Sequence, residues 1–376
     1  LTPVIETGGG GRVYLNWIAQ WTGPQRWTKH PNNPIYGPEQ SGAWDNWCNG
    51  VSIVRNPDGQ SYKMFYAGSE GGGIGFAEAP IDDPLRWKEY PASPVIRPRS
   101  NWEGERINQP RVVRVTDTHW RMYYTGWGFE ADRGSSWAFG VAESRDGGLT
   151  WERVGDEPLM PRGEAGAPDD GGVFVPEVRQ IGDRWMMWYT AMSAQPGAQY
   201  IHLCLATSPD GLRWEKHPDN PVLTEDFAAG PSRNVISRCH VRFDDGVFRM
   251  WYSHAKPDYR ICYAESLDGI HWERSSLNPV LGPDPEPAWD DVMVEYPEID
   301  LVDGQWRMWF CGNGFGSVGF AEGETETGVE LAMRTGETFA QLEGVPADHL
   351  VVLDPESIVA RSSAAVVDGA SGRGRR

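Results

Sequence analysis

The chain alternates short apolar runs with polar turns, and one unit of that alternation recurs along most of its length. The unit is an apolar strand, a polar turn, a Trp-x-Met-Trp-Tyr strand, a loop, a Gly-x-Ala strand, an Asp-Gly turn, and a Trp strand running into Asn-Pro-Val-Leu. Its second-strand methionines are Met64, Met122, Met187, Met250 and Met308; its third-strand alanines are Ala77, Ala142, Ala206, Ala264 and Ala321. Both series step by about 57 to 65 residues, the length of a four-stranded antiparallel blade. Segments such as residues 184–189 and 305–310 are aromatic and apolar beside Gly-Asp or Asp-Gly turns, which is strand patterning. No long helical periodicity precedes residue 323. The pattern predicts an all-β fold and argues against a helical bundle.

Fourth strands count the units. Trp87, Trp151, Trp214 and Trp272 supply four, and the last repeat ends near Glu322 without one. The missing copy stands at the other end of the chain, where residues 25–35 (QRWTKHPNNPI) mirror residues 212–222 (LRWEKHPDNPV). An N-terminal strand is therefore expected to close the last blade and remove an exposed sheet edge. This predicts a five-bladed β-propeller of four-stranded blades over residues 25–322. Residues 1–24 read as a lead-in and 323–361 as a non-repeating extension. Residues 362–376, small, polar and Gly/Arg-bearing, read as a disordered tail.

Composition adds limits. The 19 Trp, 45 Gly and 29 Pro suit many short strands packed through aromatics and joined by tight turns. A formal net charge of −19 repels polyanions, so no nucleic-acid partner is expected. No apolar run approaches the roughly 18 residues that span a bilayer, so no membrane partner is expected either. The five cysteines are scattered without a CxxC, unlike a zinc cage or a secreted disulfide framework. They favour a reducing cytoplasm, with secretion left open because the sequence begins at Leu1 rather than Met. The residue pattern calls for no metal and no other cofactor.

In an up-and-down blade the first strand lines the axis, and its start shares one face with the loop between strands two and three. The hairpin between strands three and four lies opposite. That hairpin holds Ser144-Arg145-Asp146-Gly147-Gly148-Leu149-Thr150-Trp151, an Asp-box pattern with shorter relatives at Ser208 and Ser266. Its Asp and Gly suit a tight turn and mark the fold rather than a site.

Candidates for chemistry belong on the axial face. Arg111, Glu177, His240 and Glu298 fall at one equivalent place inside the first strands. Two carboxylates, an Arg and a His would converge there as a ligand site or as a structural ion network. Glu295 stands where the other repeats carry Gly50, Asn108, Phe174 and Ser237, and Arg238 stands among Val51, Gln109, Val175 and Tyr296. Asp45 belongs to a Trp-Asp or Trp-Glu pair that recurs at Trp102-Glu103 and Trp289-Asp290, which points to scaffold, yet it adds a carboxylate to this face. Glu295, Glu177 and Asp45 are the catalytic candidates. Arg111, Arg238, His240, Asn108, Gln109, Glu298, Trp127, His254 and Asn313 are the substrate-binding ones. The longest loop adds Glu130, Asp132, Arg133 and Trp137, and the fourth repeat Lys256, Tyr259 and Arg260. Aromatic platforms among polar groups suit sugar rings, with their apolar C–H faces and hydroxyl edges.

Through the Asn-Pro-Val-Leu, Ser-x-Asp-Gly-x-x-Trp and Met-Trp-Tyr elements of residues 25–322, the chain resembles the five-bladed β-propeller glycosidases, which include glycoside hydrolase families 32, 43, 62, 68, 117 and 130. Glu295-Tyr296-Pro297 is similar to the Glu-x-Pro of the general acid in families 32 and 43, although it lies in the last repeat. Gln109-Pro110-Arg111 and Phe174-Val175-Pro176-Glu177 are similar to the Asp-Pro-Arg and Phe-Pro-Glu stretches of family 130, with Gln109 in place of an acid. Family 43 implies an Asp where the first repeat has Gly50-Val51-Ser52. The resemblance implies cleavage or transfer of a glycosyl group from a carbohydrate substrate, with two carboxyls flanking the bond. Arg111, Arg238 and His240 leave an anionic sugar, a phosphorolytic reaction and a non-catalytic carbohydrate-binding role open.

Overall fold

The computed structural model describes residues 4–6, 12–14, 23–37, 44–45, 48–68, 72–99, 102–130, 134–194, 200–225, 235–256, 258–314 and 316–324. The chain divides into two units, Gln25–Glu324 and a second formed by Leu1–Pro24 with Thr325–Arg376. The second unit contains a hairpin of β1 (Val4–Glu6) and β2 (Arg12–Tyr14), with Ile5 opposite Val13. The expected extension beyond Glu324 and the tail at 362–376 lie outside the described residues.

The large unit has no helix among its described residues. It opens on β3 (Arg26–Lys29). A first antiparallel meander follows, of β4 (Asn49–Arg55), β5 (Ser61–Ala67), β6 (Ile74–Pro80) and β7 (Lys88–Glu89). The next comprises β8 (Ile107–Arg114), β9 (Trp120–Glu130), β10 (Gly134–Ser144) and β11 (Glu152–Arg153). Then come β12 (Gly172–Ile181), β13 (Arg184–Ser193), β14 (Tyr200–Ser208) and β15 (Glu215–Lys216). After them run β16 (Val235–Asp244), β17 (Val247–Ala255), β18 (Tyr259–Ser266) and β19 (Glu273–Arg274). A single parallel bridge, Ile201 to Val235, links these last two meanders into one eight-stranded sheet. The final sheet is β20 (Val294–Val302), β21 (Gln305–Gly312) and β22 (Ser317–Glu324), with β3 as its fourth strand.

The repeat has a packing cause. Each second-strand Met faces its third-strand Ala across the ladder: Met64 with Ala77, Met122 with Ala142, Met187 with Ala206, Met250 with Ala264, Met308 with Ala321. All ten are fully buried, and the large–small pairing leaves room for aromatics of the adjoining sheet. The Asn of Asn-Pro stands in for a strand residue. Asn220 accepts from Leu205 N (2.7 Å) and donates to Leu205 O (2.9 Å), and Asn278 does the same with Tyr263. Asn33 makes the same pair with Phe320, at 2.9 and 3.0 Å, so the N-terminal segment docks on β22 as its sequence match predicts. In the Asp-box, Asp146 Oδ1 accepts from Leu149 N (3.1 Å) and Thr150 N (3.0 Å), a turn scaffold.

Candidate active site

Every first strand of a meander carries a register shift near its start, between Asn49 and Ser52, Asn108 and Arg111, Phe174 and Pro176, Ser237 and Cys239, or Glu295 and Glu298. Such bulges re-aim side chains. Within them Gly50, Gln109, Val175 and Tyr296 adopt left-handed φ of 61°, 53°, 57° and 58°. Hydroxyls from the preceding meander hold three bulge amides: Thr125 accepts from Val175 N (3.1 Å), Thr190 from Arg238 N (3.1 Å) and Ser253 from Tyr296 N (2.8 Å). The register corrects the alignment of the first repeat. Asn49, not Gly50, is the counterpart of Glu295, and Gly50, not Val51, is the counterpart of Arg238. The shared left-handed bulge, invisible to residue matching, fixes that offset.

Below the bulges, the equivalent residues Ser52, Arg111, Glu177, His240 and Glu298 clasp one strand to another. Ser52 Oγ accepts from Val112 N (3.0 Å), Glu177 Oε1 from Val241 N (2.9 Å), and Glu298 Oε2 from Ile53 N (3.3 Å). Arg111 grips Glu298 through two bonds of 2.9 and 2.5 Å and also pairs with Glu177. Glu177 Oε1 further accepts from Arg179 Nε at 2.8 Å. Burial opposes ionisation of Glu298, but Arg111, His240 and Arg238 together hold it well below the usual carboxylate range. His240 Nε2 lies 2.9 Å from Arg179 Nη2, which only donates, while its Nδ1 accepts from Ile299 N (3.3 Å) and lies 3.3 Å from Glu298 Oε2. Burial, then Arg179, pushes that imidazole down to about 4. Arg111, Glu177, His240 and Glu298 do converge, but upon one another. Glu177, expected as catalytic, has its oxygens engaged by Val241, Arg179 and Arg111; here it joins strands rather than presenting a free base.

Glu295 differs. It is 1% exposed, and its Oε1 is buried with no hydrogen-bond partner. Burial pushes its carboxyl up to about 8, against the lowering effects of a Tyr296 hydrogen bond and the Arg238 charge. Arg238 is the neighbouring cation. Its Nη1 donates to Gln109 Oε1 at 2.6 Å, its Nη2 reaches Val51 O and Glu298 Oε1, and its guanidinium lies 5.6 Å from the Tyr296 ring centre. Tyr259 stacks obliquely on Tyr296 at 6.2 Å and receives a bond from Ser237 Oγ at 3.2 Å. Glu295, Arg238, Gln109, Tyr296 and Tyr259 thus form one cluster at the starts of the first strands. Asn108, the counterpart of Glu295 in β8, also has a buried Oδ1 without a partner.

The remaining candidates have other surroundings. Asp45 accepts from Tyr66 Oη at 3.1 Å, one member of a repeated latch. Glu103 binds Tyr124 Oη (2.7 Å) and Arg153 (2.6 Å), Asp169 binds Tyr189 Oη (3.1 Å) and Lys216 (2.6 Å), and Asp290 binds Lys29 (2.5 Å). Asn313 is engaged by the segment entering β20, accepting from Val292 N (2.8 Å) and Met293 N (3.1 Å) and donating to Asp291 (2.9 Å). His254 lies 3.6 Å from Glu225, and burial lowers its pKa. Trp127 stacks on Trp137 at 5.4 Å, and Phe174 follows at 6.4 Å. The side chain of Glu130, with Asp132 and Arg133, lies outside the described residues. Sequence reasoning passed over Arg179 and the bulge-holding hydroxyls; the latter leave a signal, a Thr or Ser after Tyr within β9, β13 and β17.

No family model matches the chain. The uncharacterized protein Rv1502 of Mycobacterium tuberculosis is 28% identical over 294 residues, 76% of this chain and 95% of that protein. Among solved structures, BT0996 in its RGII complex superposes with a TM-score of 0.64 at 18% identity, covering 81% of this chain and 93% of that one. A thermostable family-43 glycoside hydrolase gives 0.59 at 17%, covering 78% and 94%. Family 130 glycoside hydrolases acting on β-1,2-mannosidic linkages and a family 32 β-fructofuranosidase from Bombyx mori are also similar. These likenesses show the fold: a β-propeller of the kind glycosidases use, with no single family marked out.

Proposed function

We propose that this propeller is a carbohydrate-active enzyme that cleaves or transfers a glycosyl group at one end of its axis, with Glu295 as proton donor. On this reading the meanders are five blades around one axis. The two halves of the eight-stranded sheet count separately, and β3 closes the last blade. The observation that carries the proposal is the buried Glu295 carboxyl, one oxygen unpartnered, beside Arg238. Breaking a glycosidic C–O bond requires a proton on the departing oxygen, and a carboxyl with a pKa near 8 still holds one at neutral pH. Once Glu295 gives it up, Arg238 stabilises the resulting carboxylate.

Hydrolysis also needs an ionised carboxylate to activate water or attack the anomeric carbon. Glu177 is engaged by Arg111 and Arg179, so of the expected carboxylates Asp45 is left for that role. That shortage favours one further reading, phosphorolysis. A phosphate oxygen forms the bond to the anomeric carbon, the glycosidic bond breaks, and its oxygen leaves with the Glu295 proton. A panel of aryl glycosides, assayed with and without phosphate, tests both readings. Turnover that survives Glu295→Gln intact rejects Glu295 as the acid. Saturable sugar binding without turnover leaves a carbohydrate-binding propeller.

A further inference from the structure

The hairpin of β9 and β10 runs 11 residues on each side and reaches the same end of the strands as Glu295. Trp127 and Trp137 face each other directly across it, their rings 5.4 Å apart and 19° from parallel. Phe174, the counterpart of Glu295 in β12, continues the aromatic row from Trp137. The wall is held rigidly. Trp127 N donates to Glu103 O (3.2 Å), and a Cβ on Gly128 would meet Trp102 O at 1.9 Å, so strand and entry segment touch backbone to backbone. Trp127, Trp137 and Phe174 are only half-buried.

Beside this wall lies an exposed cation. The exposed Arg106 guanidinium sits 5.1 Å from the Trp127 ring centre, and no acidic side chain pairs with it among the described residues. An indole face takes the C–H face of a sugar ring, while a planar guanidinium takes a carboxylate or phosphate through paired N–H bonds.

We propose that Trp127, Trp137 and Arg106 form the subsite for the leaving group and that it takes a sugar ring bearing an anionic substituent. The ring lies on the indoles and the anion on Arg106. The assignment to a leaving group rests on Glu295 being the proton donor; the preference for an acidic sugar does not.

Isothermal titration of the full-length protein tests it, with a glucuronate-bearing disaccharide, its uncharged glucose counterpart and glucose 6-phosphate as probes. The acidic probes are expected to bind about tenfold or more tightly than the neutral one at low salt, and to lose that advantage at high salt. Arg106→Gln, a change at an exposed side chain, should remove the acid preference while leaving neutral binding in place. Trp127→Ala should weaken every probe. Whichever acidic probe binds more tightly identifies the anion as a sugar carboxylate or a phosphate ester. Equal binding of charged and neutral probes, no binding of either acidic probe, or an acid preference that persists in Arg106→Gln overturns the proposal. Acid-selective binding lost in Arg106→Gln, with no aryl glycoside cleaved, keeps the subsite and removes the catalytic reading. Cleavage without acid selectivity does the reverse.

Discussion

Arg238 Nη1 donates to Gln109 Oε1 at 2.6 Å, tying β16 to β8, strands that share no sheet. Gly50 lies directly against this bond. A Cβ there would stand 2.2 Å from Gln109 Oε1 and 3.0 Å from Arg238 Nη1, at a φ of +61°. Gly50→Ala should therefore push the two side chains apart and add backbone strain of about 1–2 kcal/mol before the contact itself is counted. Denaturant unfolding checks the loss. A gain in stability, as from an unstrained Gly→Ala change, would contradict the geometry.

Arg111 neutralises Glu177 and Glu298 at once, and all three are almost fully buried. Arg111→Met leaves two buried carboxylates without their main cation. The expected cost is at least about 3–5 kcal/mol, the range for breaking one buried pair. Adding Glu177→Gln and Glu298→Gln to that variant should restore part of the loss. Unfolding curves of the single and triple variants measure it, and a triple variant no more stable than the single would sink the ion-network account.

Much of the fold was legible because the repeat is periodic. Met64 to Met308 do the same job in all five repeats, and Asn33, Asn220 and Asn278 in three of them, so one alignment reveals strands, turns and the borrowed β3. The site was legible only as a list of residue types. Arg111, Glu177, His240 and Glu298 share one level, but whether they face a ligand or each other depends on side-chain reach across strands more than 60 positions apart in the chain. Asn49 was misplaced by one residue for a related reason: a bulge changes register through a backbone angle that leaves little trace in residue identity.

The Asp-box separates fold from function. Asp146 Oδ1 takes two backbone amides and Oδ2 takes the Thr150 hydroxyl at 2.6 Å, which lowers the Asp146 pKa against the effect of burial. Asp146→Ala should cost only about 0.5–1.5 kcal/mol, the net worth of a hydrogen bond whose exposed amides turn to water instead, and leave sugar binding or turnover unchanged at temperatures where the variant is folded. Loss of activity in folded protein would move the Asp-box into the functional site.

β3 supplies more than an edge. Trp27 packs edge-on against Trp251 at 6.3 Å, and Lys29 pairs with the fully buried Asp290 at 2.5 Å. Deleting residues 1–36 removes that strand, uncovers β22 and leaves Asp290 without its cation. The truncated chain is expected to lose its cooperative thermal transition; an unchanged melt would show that β3 is dispensable.

Glu295 can be tested through stability as well as rate. Its carboxyl titrates near 8 in the folded chain against an ordinary value of 4.5, so folding favours the protonated form. The stability it contributes is complete below pH 4.5 and is lost as the pH rises from there through 8, by at most about 1.4 kcal/mol per pH unit. His240 acts in the opposite sense: held neutral down to about 4, it makes the fold lose stability as the pH falls from 6.5 toward 4. Comparing wild type with Glu295→Gln cancels the His240 contribution and isolates Glu295. The variant should gain on wild type between pH 5 and 8 and hold a constant lead above pH 8. Its turnover should fall by roughly 10²–10⁴, the usual loss of a general acid, while sugar affinity stays close to that of wild type. On the proposed function, the alkaline limb of wild-type activity should lie near pH 8, where Glu295 loses its proton. Parallel stability curves for the two proteins would mean that Glu295 is already ionised at neutral pH and so unable to donate.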